Sequence, residues 1–108
     1  MSPSEFDAKV RSLIRACPWL SQTSGYRSEQ RNRLLGGSTA SKHLIGMAAD
    51  FYCGTPRGIK QGEEQARELG FWVQVHGEPP HIHCQGLPPG EIPFWWQEKY
   101  GGIKNGNN

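Results

Sequence analysis

Four histidines and two carboxylates hold most of the chemical potential of this 108-residue chain. His76, His81 and His83 fall close together, with Glu78 among them; His43 lies upstream, with Asp50 shortly after it. Imidazole nitrogen and carboxylate oxygen are the donors a catalytic zinc uses, typically three from the protein with a fourth position left to water. His43 in a loop and Asp50 on the strand that follows can meet one ion if Gly46 turns the loop back. Ala48 and Ala49 are small enough to let neighbouring backbone approach. The third ligand must come from an adjacent strand.

His81 can supply that ligand if a strand over 71–75 returns through a turn at Gly77–Pro80. His81 and His83 alternate with Ile82 and Cys84, so both histidines share one face of a strand. His83 is therefore the alternative ligand, and otherwise a candidate substrate contact. His81 is preferred because Glu78 stands three residues before it, whereas Pro80 stands three before His83. Pro79 and Pro80 stiffen the link between Glu78 and His81. A carboxylate held beside a zinc-activated water can take its proton, which makes Glu78 the candidate general base.

The elements that must position these residues read as α+β. Ser2-Pro3-Ser4 starts a helix, and Phe6, Val10, Leu13, Ile14 and Cys17 recur at helical spacing until Pro18 ends it. A short strand over 19–23 and a short helix over 28–35 follow. The second half of 41–53 reads as a strand entering the core. Gly54 to Gly58 breaks the chain, and a helix over 59–69 ends at Gly70. Strands over 71–75 and 81–84 flank the Gly77–Pro80 turn. The expected architecture is a small, mainly antiparallel sheet with helices packed on one side.

One domain over 1–104 with a flexible tail over 105–108 suits this length and the Gly/Asn-rich end. Gly 14 and Pro 8 imply many loops. The formal charge of +2 is a weak basic bias. It suits approach to an anionic polymer such as a bacterial wall and does not require nucleic acid. No Lys/Arg run with interleaved aromatics is present, so a nucleic-acid groove is not expected. No stretch approaches the roughly 18 apolar residues of a membrane span. The opening MSPSEFDAKV lacks the pattern of a cleaved signal, so a cytoplasmic start is expected. Cys17, Cys53 and Cys84 form no CxxC pair and are read as small hydrophobes rather than as a disulfide framework. A structural zinc site at Cys84 would need more cysteines near the histidines.

The segment Ser41-Lys42-His43-Leu44-Ile45-Gly46-Met47-Ala48-Ala49-Asp50 resembles, at every fixed position, the SxHxxGxAxD signature of the zinc D-alanyl-D-alanine metallopeptidases. Ser24-Gly25-Tyr26-Arg27-Ser28 is similar to that family's SGYRS motif, and Glu78-Pro79-Pro80-His81-Ile82 to its EPWHI-type motif. The three occur in family order over residues 24–82. Pro80 departs from the usual Trp, and His83 stands where an arginine or another residue is often found.

The resemblance implies the Hedgehog/DD-peptidase fold, one zinc ion on His43, Asp50 and His81, and Glu78 as base. It also implies that Arg27 binds substrate or stabilises the oxyanion, and that Ser41 helps position substrate or the loop. The implied partner is a peptidoglycan stem peptide. The expected reaction is either D-Ala-D-Ala carboxypeptidase or L-alanyl-D-glutamate endopeptidase chemistry. The setting would be a phage endolysin reaching the wall from the host cytoplasm, a virion-borne hydrolase or a cellular enzyme, acting as a monomer or within a phage particle. The competing expectation is a non-catalytic zinc-binding module of the same fold.

Overall fold

Ser2 starts the first helix by a reciprocal cap. Its hydroxyl accepts from the Glu5 backbone N–H, and the Glu5 carboxylate accepts from the Ser2 N–H, which satisfies two donors that a helix start otherwise leaves open. Pro3 occupies the first turn, where its missing N–H costs nothing. Helix α1 then runs Pro3–Ala16 and buries Phe6, Val10 and Leu13 along one stripe. The structure is a computed structural model, and it describes residues 1–26, 28–34, 43, 46–88 and 91.

Six further elements follow among the described residues: β1 (Ser21–Ser24), α2 (Glu29–Leu34), β2 (Ala48–Tyr52), α3 (Pro56–Glu68), β3 (Trp72–His76) and β4 (His81–Gln85). Helix α3 begins three residues before the sequence reading placed it. Thr55 caps it, accepting from Gly58 N–H at 3.1 Å, and Pro56 opens the first turn. The Gly54–Gly58 segment read as a break thus contains a helix start. At its far end Leu69 is the cap, and Gly70 follows with φ +92°, the left-handed position that favours glycine. The Lys9 ammonium donates to the Leu69 carbonyl at 2.7 Å and ties α1 to this helix end.

The strands form one antiparallel sheet in the order β1-β2-β4-β3. Side chains alternate between its faces. On one face Ala49, Phe51, Val73, Ile82 and Cys84 join Phe6, Val10 and Leu13 of α1 and Ile59 and Ala66 of α3 in a single buried core. The other face carries Asp50 and Tyr52 on β2, His81, His83 and Gln85 on β4, and Gln74 and His76 on β3. Helices α1 and α3 thus cover one face, as expected, and the polar residues gather on the other. No helix among the described residues is long and apolar enough to cross a membrane. The proposed tail at 105–108 lies outside the described residues.

Leu13 is fully buried at the centre of this core. Leu13→Ala should therefore destabilise the fold by about 3 kcal/mol, as lost burial and an unfilled cavity add. Urea unfolding followed by circular dichroism measures this as a lowered midpoint with an unchanged slope.

Candidate metal centre

Register decides which side chains meet. β2 and β4 pair with Ala49 opposite Cys84, Asp50 opposite His83, and Phe51 opposite Ile82. Asp50 and His83 thus stand side by side on the open face, with His83 Nδ1 2.7 Å from Asp50 Oδ1. His43 reaches the same point from the loop before β2. Gly46 makes that possible: its φ is +69°, which a residue with a side chain rarely adopts, and its N–H returns to the His43 carbonyl at 3.3 Å. His43 Nε2 lies 3.3 Å from Asp50 Oδ2.

One ligand atom from each of His43, Asp50 and His83 lies within 4.8 Å of the other two. Tetrahedral zinc ligands stand roughly 3.3 Å apart, so the set is close to the size an ion requires. The donor chemistry fits as well. The His43 Nδ1–H donates to the Gly25 carbonyl at 2.7 Å, which turns the Nε2 lone pair of a neutral ring toward the Asp50 carboxylate. His83 Nε2 lies 2.8 Å from Gln85 Oε1, so its N–H donates there, and Nδ1 faces Asp50. Each ring thus has an acceptor at both nitrogens. Two neutral imidazoles cannot satisfy this arrangement; a cation among the three residues, or added protons, can.

Asp50 is about one-sixth exposed and His43 almost fully buried. Burial acts to raise the Asp50 pKa, but with no ion bound and both rings protonated, hydrogen bonds and positive charge from His43 and His83 outweigh it and hold the carboxyl well below the usual carboxylate range. Behind the site, on the core face, burial and then the Asp50 charge push the Cys84 thiol up to about 12. Cys84 is thus a core side chain on the face away from the site, and Cys17 is buried in the same core, where burial raises its pKa as well.

The third ligand is expected at His81, but the histidine that stands beside Asp50 and His43 is His83. The reason is register: His83 is the residue opposite Asp50, while His81 sits one same-face step further along β4, roughly 6.7 Å away along the strand. There the His81 ring lies against Tyr52, with centroids 4.9 Å apart, and its Nδ1–H donates to the Pro79 carbonyl at 2.9 Å. His81 still belongs to the site. With Thr23, Asp50, His76 and Gly77 it lines a cleft of about 300 Å³ that opens beside the carboxylate. Thr23 stands in the register shift between Gln22 and Ser24 on β1.

His76 pairs with His81 across β3 and β4 and forms one wall of this cleft. Its ring centroid lies 5.9 Å from that of His83. Glu78 is exposed in the turn between β3 and β4 and is not among the residues lining the cleft. Arg27 and Ser41 lie outside the described residues. Sequence reasoning missed Gln85, which is buried beneath His83. The signal was present in the polar run His81-x-His83-x-Gln85, which repeats with the period of a strand face.

Residues 9–85 match the family model described as Peptidase M15. Neither the curated proteins nor the solved structures contain a match to this chain. The matched segment contains His43, Asp50, His81, His83 and Gln85.

A carboxylate whose folded-state pKa is lowered adds stability above its unfolded value and loses it as pH falls toward the folded one. Metal-free wild-type protein should therefore lose more stability than Asp50→Asn between about pH 4, near the unfolded value, and about pH 2. Urea midpoints at the two pH values, with chelator present, measure the difference.

Proposed function

The chain belongs to the Peptidase M15 family, and from that premise we propose that it is a zinc-dependent hydrolase cutting an amide bond in the stem peptides of bacterial peptidoglycan. The observation that carries this reading is the convergence of His43, Asp50 and His83, inside the matched segment, beside a cleft lined by further histidines. His43 Nε2, the Asp50 carboxylate and His83 Nδ1 would hold the ion. When bound there, zinc supplies Lewis acidity, polarising the scissile carbonyl and lowering the pKa of a water toward about 7.

His81 suits proton transfer. Donation from Nδ1 to Pro79 leaves Nε2 as the lone-pair nitrogen, and stacking against Tyr52 limits rotation of the ring. Imidazole can take a proton from water and return it to a leaving amine. His76 and Thr23 bound the space in which the peptide would lie. Glu78 is the second candidate for the base, because Gly77, its neighbour, lines the same cleft. Arg27, as oxyanion or substrate contact, and Ser41, as a positioning residue, enter this reading on the motif resemblance.

The substrate class rests on the SxHxxGxAxD resemblance and on a basic balance that suits an anionic wall. Both candidate bonds, D-Ala-D-Ala and L-alanyl-D-glutamate, are amides of the stem peptide. Either a phage lysin or a cellular carboxypeptidase fits that chemistry.

Purified protein incubated with intact peptidoglycan should release amino groups, lose that activity with chelator and regain it with zinc, and fragment masses name the bond. Stoichiometric zinc without release from any peptidoglycan would instead identify a binding module. His83→Ala should lose zinc. His81→Ala should keep zinc and lose turnover by about 10²–10⁴-fold, while Glu78→Ala keeps most of it. The reverse pattern would give the base role to Glu78.

A further inference from the structure

Gln85 is one of two buried polar residues among those described, the other being the ligand His43. A buried amide is costly unless its groups are paired, and Gln85 uses both ends. Its Nε2 donates to the Leu87 carbonyl at 2.6 Å, and its Oε1 accepts from His83 Nε2–H at 2.8 Å. The first contact fixes the second. A carbonyl only accepts, so the amide nitrogen must face Leu87 and the amide oxygen must face His83. An oxygen at that place accepts a proton and cannot donate one.

We propose that Gln85 is a positioning residue for the metal centre, fixing His83 as its Nε2–H tautomer so that Nδ1 is the nitrogen presented to the ion. The inference rests on the metal-site reading above and deepens it. Gln85 sits at the next same-face position along β4, so strand geometry alone sets its distance from the ring. The Leu87 carbonyl, just beyond the strand, anchors the amide in turn. His83 is therefore held by a side chain on one nitrogen and is presented to Asp50 on the other. His43 obtains the same control from the Gly25 main chain. The two ligands thus present opposite nitrogens, Nε2 from His43 and Nδ1 from His83, each selected by the acceptor behind it. Such outer partners typically contribute about 10–100-fold to metal affinity.

The test uses the full chain and zinc alone. Wild-type protein should bind one zinc, measured by competition with a chromogenic chelator. Gln85→Leu removes the acceptor and should weaken zinc binding by about 10–100-fold. Long-range ¹H–¹⁵N spectra of zinc-loaded wild type should show His83 protonated at Nε2, a readout that does not depend on the variant folding. Equal zinc affinity in Gln85→Leu and wild type, or a His83 protonated at Nδ1 in the loaded protein, overturns the proposal. A wild-type protein that binds no zinc overturns the metal-centre reading and this inference with it, and is distinct from the other outcomes.

Discussion

The pairing of Asp50 with His83 across β2 and β4 is the contact on which the site depends. It is a consequence of backbone register, so the hydrogen bonds that build the sheet also bring these two side chains of the candidate metal centre together. A slip of one residue would turn the His83 side chain into the core and bring Cys84 or Ile82 to the open face. The core resists such a slip, because Phe51, Ile82 and Cys84 are fully buried on the opposite face. Apolar packing on one face therefore secures polar geometry on the other.

Electrostatics adds a second constraint. Around Asp50 the two imidazoles are each flanked by acceptors, and the site favours positive charge at its centre. Two of these acceptors, the Gly25 carbonyl and the Gln85 amide, are neutral groups that orient the rings without adding negative charge. The carboxylate supplies the one formal charge of the candidate ligand set. The neighbouring His81 has a different setting, with a carbonyl behind Nδ1 and an aromatic ring beside it. Two histidines on one strand face thus acquire different chemistry from what stands behind them.

Much of this was legible in the residues. The stripe Phe6, Val10 and Leu13, the Ser2 cap and the alternation through β4 each follow from local rules, and the structure shows the corresponding elements. The His43-to-Asp50 relation was legible because Gly46 marks a turn that a chain with side chains rarely makes. The choice between His81 and His83 was not, because both lie on one face and only cross-strand register separates them. The nearness of Glu78 in sequence pointed to His81, whereas pairing with β2 places His83 beside Asp50. The start of α3 was obscured by Gly54 and Gly58, where Thr55 and Pro56 carry the opposite signal. Gln85 was missed because a glutamine at a strand end reads as surface until its burial is known.

The bond from His43 to the Gly25 carbonyl has an evolutionary consequence. Its acceptor is main chain, so no amino-acid replacement at position 25 can delete it directly. What can disturb it is a change in chain length or path near the end of β1, where the register already shifts between Gln22 and Ser24. Descendants of this sequence could exchange side chains along that segment while keeping His43 oriented. Insertions and deletions there would be far less tolerated, so lineages should diverge in composition at this corner of the sheet before they diverge in length.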